Sequence, residues 1–482
     1  MKRIALALAA ISALLFALVA PADATPATWV GAEYVPNLST IDLGHYSAID
    51  TVDCTPGGGS CAFAGDYFPA QGIQNPFATA FTNGAFFPGP IRFPDAAGLG
   101  SATTSSINSI SCWPNGQCGV VGTFSNVAPG SASVFVIGGT APGMAGAIEV
   151  PGLPALATGN YASATKISCV AQSRCTALGI YRDTFGNPNA FVTNLDNGSW
   201  SNAAQLPSSS SASAPSDLSC ATPDDCVAVG ATLNSAVLWQ QIAGVWQTSA
   251  VIPGLSALAG QNTTLADKVS CVPNGTCTLM GRIAGNTYRI FTSTRTNGVW
   301  SNAIELPGVQ AFGVASLVHG LSCYGTGDCV TTSLAGTTAF YAERTGGTWS
   351  TAQPVEGIAS LGDGNNSEAF DVSCDDTGMC VIVGNFQDGN DLVGFASFRT
   401  GGVWQSAVEI PGLRALATGG NAYPESVSCE VGTCAIGGQV ITSSQFAAFV
   451  AMVTPGLPDP TPTTTVPDGG NGGDPVVPAF TG

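Results

Sequence analysis

Charge is scarce in this chain. Of 482 residues, 13 are Lys or Arg and 31 are Asp or Glu, 9% in all, for a formal net charge of -18. A sparse surface of negative sign has no attraction for a nucleic-acid backbone or an anionic membrane surface, so neither partner is expected. Histidine is scarcer still, with only His45 and His319, and the cysteines never fall at zinc-ligand spacing, which argues against a metal site. Cys-x-x-Cys does not occur, which argues against a thiol-redox role. No nucleophile motif accompanies either histidine, so a His-dependent hydrolase is disfavoured, although triads do assemble from distant positions. After the first two dozen residues no run of 18 apolar residues occurs, and no membrane span is expected in the mature chain. Nothing beyond that point reads as a helix, and no pattern calls for a cofactor.

Small and apolar residues are abundant instead. Hydrophobic residues make up 45% and there are 61 glycines, a composition that suits neutral β structure with tight turns. Their regular recurrence argues against disorder. The amino terminus has the three parts of a secretory signal: Lys2 and Arg3, the apolar run Ile4 to Val19, then the small-x-small triplet Ala22-Asp23-Ala24. Residues 1–24 are therefore expected to be removed on export, which sends the protein to the cell exterior or surface.

All 16 cysteines lie in the exported part and form eight close pairs: Cys54/Cys61, Cys112/Cys118, Cys169/Cys175, Cys220/Cys226, Cys271/Cys277, Cys323/Cys329, Cys374/Cys380 and Cys429/Cys434. Each pair is expected to be a structural disulfide. Successive pairs begin 58, 57, 51, 51, 52, 51 and 55 residues apart, a period that marks an array of supersecondary units. Every unit after the first reads Ser-Cys, a short polar turn, Cys, a few small apolar residues and usually Gly, as in Ser219-Cys220 to Gly230. An apolar segment such as Ala190-Phe191-Val192 follows, then Gly-x-Trp with Trp200, Trp246, Trp300, Trp349 and Trp404 in register, then an apolar-Pro pair such as Leu306-Pro307. Asn297-Gly298 and Gly401-Gly402 before the Trp are hairpin turns. Four short strands in about 50 residues is the size of a propeller blade.

The last pair is followed by two strands but by no Trp strand. The missing strand stands at the other end, where Thr28-Trp29-Val30 to Val35-Pro36 matches Val403-Trp404-Gln405 to Ile410-Pro411. A linear solenoid has no reason for such a permutation, whereas a ring does. The fold class expected is all-β, a single eight-bladed propeller over residues 25–454 closed by its N-terminal strand. Irregular first and second units leave a seven-bladed ring as the alternative.

From Ser397 to Trp404 the chain reads Ser-Phe-Arg-Thr-Gly-Gly-Val-Trp, which resembles the Asp-box turn of sialidase-type propellers with Arg399 in place of the Asp. Arg295 and Arg344 make the same departure in their units. The resemblance implies a propeller; it does not imply sialidase activity, whose three clustered arginines, Tyr–carboxylate pair and acid have no match here. The Ser-Cys repeat also resembles repeats of secreted actinobacterial proteins. From Pro455 the chain becomes a Pro, Thr and Gly-rich tail of flexible character, ending Pro478-Ala479-Phe480-Thr481-Gly482. That ending resembles a sortase signal with Pro478 in place of Leu, and makes cell-wall attachment an open expectation.

Candidate binding residues are few. The in-register Trp residues read as blade core, whereas Trp113, inside a Cys–Cys turn and off the template, is the better exposed candidate. Asp224, Asp225, Asp328, Asp375 and Asp376 recur in the same turns and would form an acidic arc able to take Ca2+ or a cationic partner, although turn Asp is the ordinary reading. The function expected is non-catalytic recognition of a protein or glycan through propeller loops, with the longer segments Phe68 to Ser105, Ser125 to Tyr161 and Leu361 to Ala369 carrying specificity. A glycosidase-like enzyme, which needs only two carboxylates, is one alternative and a structural wall component another. Paired carboxylates in the central cavity would favour the enzyme; a lining of Gly, Ala and Ser would favour binding.

Overall fold

Every Ser-Cys segment is the innermost strand of an antiparallel meander. A computed structural model describes residues 27–454, apart from 45, 70–72, 93–98, 100–103, 115, 126–130, 141–142, 145, 211, 234, 286–287, 314, 363–365 and 444. Residues 1–26, which include the expected export signal, His45 and the tail from Pro455 lie outside the described residues. In the third unit, Ala162–Ala171 turns at its disulfide into Arg174–Arg182, which pairs with Pro188–Asp196, which carries the short outer pieces Ser199–Trp200 and Ala204–Gln205. Seven sheets repeat this order. The eighth has Asn421–Glu430, Thr433–Ile441 and Phe446–Thr454, and its outer strand is Thr28–Tyr34, with Trp29 opposite Val453 and Tyr34 opposite Phe449.

The innermost strands touch one another in chain order, and the last, Asn421–Glu430, touches the first, Ser47–Cys54. The molecule is an eight-bladed β-propeller closed by its N-terminal strand. Seven blades are ruled out, because the first two units are full blades despite their irregular sequence.

All eight expected bridges are present: Cys54–Cys61, Cys112–Cys118, Cys169–Cys175, Cys220–Cys226, Cys271–Cys277, Cys323–Cys329, Cys374–Cys380 and Cys429–Cys434. Each joins the first strand of a blade to its second. These cysteines are core residues and do not form a surface site. Cys61, Cys118, Cys226, Cys277, Cys329, Cys380 and Cys434, on the second strands, are each 3% exposed or less. The bridged sulfurs pack among the apolar side chains between blades, Cys61 with Val52 and Phe63, Cys118 with Ile110 and Ile137, and Cys434 with Val427 and Ile436. A disulfide carries no charge and needs no strong hydrogen bond, so burying it there leaves no polar group unsatisfied.

The expectation of no helix is corrected. Leu153–Leu156, Leu255–Ala259, Ile358–Leu361 and Leu413–Leu416 are single α-helical turns between blades. One turn is too short to display a 3.6-residue period, which is why the sequence hides it. Each follows a glycine in the left-handed region, φ 72° at Gly152 and 84° at Gly412, where other residues are strained. The turn then buries Leu153, Leu255, Ile358 or Leu413.

Two rings of hydrogen bonds hold neighbouring blades together. An innermost strand leaves edge N–H groups without a partner in its own sheet. The Ser before each first cysteine supplies one to the next blade: Ser111, Ser168, Ser219, Ser270, Ser322, Ser373 and Ser428 accept from the N–H of Cys169, Cys220, Cys271, Cys323, Cys374, Cys429 and Cys54. Asp53 takes the place of Ser in the first blade and accepts from Cys112 N–H at 2.6 Å. Farther out, the N–H groups of Ala203, Ser249, Ala303, Ala352, Ala407 and Ala32 donate to carbonyls of Pro151, Pro207, Pro253, Pro307, Glu356 and Pro411. The Ala32 bond ties the N-terminal strand to the seventh blade.

The repeated Gly has a packing reason. A Cβ on Gly65, Gly384 or Gly438 would lie 1.9 Å from the carbonyl oxygen of Ala48, Glu368 or Tyr423 on the innermost strand. Across the next ladder six such glycines face a phenylalanine, Phe77, Phe135, Phe191, Phe291, Phe395 or Phe449, whose ring occupies the space a side chain would have taken. Each ring is fully buried and contributes about 2 kcal/mol. In the sixth blade Ser333 stands at this position and its hydroxyl donates to the Leu317 carbonyl.

Candidate functional site

The close approach of that carbonyl marks a β-bulge, and all eight innermost strands carry one at the same place, four residues before the first cysteine. A bulge re-aims one side chain relative to the regular pleat. The residues so placed are Asp50, Asn108, Thr165, Ser216, Asp267, His319, Phe370 and Glu425. Equivalent positions on eight blades put them on one ring around the central channel. Side chains next to this ring act across it: Lys166 and Lys268 draw the Asp371 carboxyl down, against the stronger upward push of its burial. Lys166 belongs to the third blade and Asp371 to the seventh, directly opposite.

Carboxylates gather where the eighth blade meets the first. Asp50 reaches solvent, yet protein surrounds it on most sides, and that burial, with the charges of Asp66 and Glu425, pushes its carboxyl up to about 8. Asp66, on the second strand of the first blade, is pushed to about 7 by burial although it accepts from Ile107 N–H at 3.2 Å and Gln74 Nε2 at 2.7 Å. Burial also raises Glu425, which accepts from Gln439 Nε2 at 2.9 Å. Tyr46 stands beside them, its hydroxyl raised by burial, Asp50, Glu425 and Asp66. Its ring packs against Phe68 at 4.8 Å and stacks on Phe446 at 5.1 Å.

Aromatic rings continue the circle on the other side of Glu425. His319 stacks on Phe370 at 6.2 Å, and Phe370 meets Tyr423 at 6.2 Å. His319 is 90% buried in its side chain, and burial followed by the charges of Lys268 and Arg282 lowers its pKa, so it is neutral at neutral pH. Its Nε2 lies 3.6 Å from Glu368 and has no hydrogen-bond partner. Next round, Asp267 is neutralised by a two-pronged pair with Arg282 at 2.9 and 3.0 Å.

This arrangement offers flat apolar rings beside hydrogen-bond acceptors, with protonated carboxyls at neutral pH as donors. The Asp66 and Glu425 charges that raise Asp50 also disfavour an anionic occupant. They do not form a metal centre: among the described residues no three His, Cys, Asp or Glu groups stand close enough to hold an ion.

The residues singled out from sequence lie elsewhere. Trp113 is corrected from exposed to core: it is 1% exposed, because its pairing with Gln117 extends the ladder beyond the disulfide and turns the indole toward the next blade. The turn aspartates are engaged locally. Asp225 accepts twice from Arg295 at 2.7 Å, Asp328 accepts from Gly346 N–H, and Asp375, 3% exposed, closes its own turn through the N–H groups of Thr377 and Met379. Asp224 and Asp376 are exposed, Asp224 3.4 Å from Arg174. The arginines in place of the Asp-box Asp clamp the disulfide turns: Arg295, Arg344 and Arg399 donate to the carbonyls of Gly275, Gly327 and Gly378. The in-register Trp residues are buried or half-buried against blades, as expected for core. The bulge ring went unread, although counting four residues back from each first cysteine would have found it.

No protein-family profile matches the chain, and no curated protein matches it in sequence. Among solved structures, a sialidase of Trypanosoma rangeli superposes with a TM-score of 0.34 at 9% identity over 85% of this chain and 55% of its own. The fucose-specific lectin of Aleuria aurantia gives 0.34 at 12% identity over 65% of this chain and 97% of its own. A luciferin-regenerating enzyme gives 0.32 at 12% identity over 58% and 87%. The chain spans about half the length of the sialidase structures. Likenesses this distant bring no site residue to this chain.

Proposed function

We propose that this protein is an exported, non-catalytic binding propeller that takes a glycan at the channel mouth where the eighth blade meets the first. The observation that carries the reading is the interleaving of Tyr46, Phe370 and Tyr423 with Asp50, Asp66, Glu368 and Glu425 along the seventh, eighth and first blades. Aromatic faces cover the apolar C–H side of a sugar ring while carboxyl groups bind its hydroxyls, and perturbed carboxyls in a concavity are a recognised mark of a working site. Eight disulfides suit an oxidising exterior, and among the described residues no helix is long and apolar enough to cross a membrane.

A second reading has its own support. Asp50 and Asp66, pushed to about 8 and about 7, would hold a proton at neutral pH, as a glycosidase acid must. A glycan-array and cell-wall pull-down screen on the oxidised chain separates the two. Saturable binding with the glycan recovered intact supports recognition; cleavage overturns it in favour of hydrolysis, and a protein ligand with no glycan bound would overturn both.

A further inference from the structure

The blades differ at one position on the disulfide side. In the fifth, sixth and seventh blades the end of the third strand carries Arg295, Arg344 or Arg399, whose guanidinium donates to a carbonyl of the adjoining turn. Register assigns the same position to Leu195 in the third blade and Gln241 in the fourth, since each stands opposite the Trp of its blade as Arg295 does. A cleft of about 400 Å3, lined in part by Arg295, lies between the fourth and fifth blades, and another, of about 440 Å3, lies between the third and fourth.

The lining of the cleft is built for hydrogen bonding. Gln241 is 4% exposed; its Nε2 donates to the Gly244 carbonyl at 3.3 Å, which fixes the amide orientation and leaves Oε1 on the other side. That buried Oε1 has no hydrogen-bond donor, which costs free energy unless something supplies one. Half-buried Trp200 forms part of the wall. At the rim Arg174 lies between two exposed carboxylates, 3.8 Å from Asp196 and 3.4 Å from Asp224.

We infer that this cleft is a second ligand site, separate from the channel mouth, and that it takes a neutral pyranose unit. Its volume suits a small ligand. The exposed Asp196 and Asp224 carboxylates at its rim are acceptors, so the ligand must bring hydroxyl donors. The Trp200 ring offers an apolar wall for the C–H face of a sugar. Two carboxylates against one guanidinium leave an excess negative charge, so a sugar acid is rejected.

The test uses the oxidised chain, titrated with a panel of neutral methyl pyranosides and with N-acetylneuraminic acid, followed by tryptophan fluorescence and by ligand-observed NMR. At least one neutral pyranoside is expected to bind and the sugar acid is not. Gln241→Arg, which installs the side chain the next three blades already carry, should weaken binding at least about tenfold, a loss of 1.4 kcal/mol or more. Asp224→Asn, an exposed change that leaves folding intact, should weaken it by a smaller factor. The inference is overturned if no neutral pyranoside binds, if the sugar acid binds as well as the neutral sugars, or if binding survives Gln241→Arg and is lost in Glu425→Gln. That last pattern would assign all sugar binding to the channel mouth; loss in Gln241→Arg alone leaves the channel-mouth reading untouched.

Discussion

The two ends of the same innermost strand follow different rules. At the cysteine end seven blades of eight have Ser before the first cysteine, and Asp53 serves the same purpose in the remaining one. Four residues before the cysteine the backbone is equally regular, with a bulge in every blade, yet its side chains run Asp, Asn, Thr, Ser, Asp, His, Phe and Glu. Side chains at the first position are constrained because they complete the hydrogen bonds of the neighbouring blade. Those at the second only need the bulge beneath them, and the facing Gly secures that. One strand therefore supplies both a fixed fastening and a freely varied ring of side chains.

The sharpest way to break this division is to attack the bulge itself. Gly384→Ala places a Cβ 1.9 Å from the Glu368 carbonyl and 2.8 Å from the Phe395 ring, and should cost about 3 kcal/mol in chemical denaturation. Ser333→Gly, which restores the common residue in the sixth blade, should lose only the bond to Leu317. Replacing Cys323 and Cys329 together by Ala should cost about 2 kcal/mol, because the bridge closes only a short loop of the unfolded chain. Ser270→Ala, which leaves the Cys323 N–H without its acceptor, should cost about 1 to 2 kcal/mol. Asn108→Ala and Thr165→Ala, on the bulge ring, should stay within about 0.5 kcal/mol of the parent. A loss at Asn108 equal to that at Ser270 would erase the distinction.

The raised carboxyls also set a pH dependence. Asp53, Asp66 and Asp50 are raised from 3.8 to about 6, about 7 and about 8. A raised carboxyl favours the folded state in its protonated form, so its stabilisation is complete below about 4 and is lost as pH rises through the folded value. Thermal melting should accordingly move to lower temperature between pH 5 and pH 9, and Asp50→Asn should flatten the upper part of that decline. Stability rising over the same interval would contradict the cluster.

Blade number, disulfide pairing and ring closure were legible in the sequence because each is a repeat relation: a 51-residue period, paired cysteines, and a Trp strand displaced to the other terminus. The bulge residues were illegible for the opposite reason. Asp50 and Glu425 lie 375 positions apart, and the equivalent sites between them along the chain hold Asn, Thr, Ser, Asp, His and Phe, so only the closed ring brings them together. Trp113 was misread because its place inside a turn by spacing does not reveal that the ladder runs on past the disulfide. Single helical turns escaped because their signal, a Gly that follows Pro in three of the four, is a backbone conformation rather than a period.

The measurement closest to the central claim is binding of the glycan captured in the screen by the parent chain, Tyr423→Ala and Glu425→Gln side by side, with near-ultraviolet circular dichroism to verify folding. The account predicts that both substitutions weaken binding at least about tenfold while the fold persists. Undiminished binding by both folded variants would contradict it and move the site away from the channel mouth.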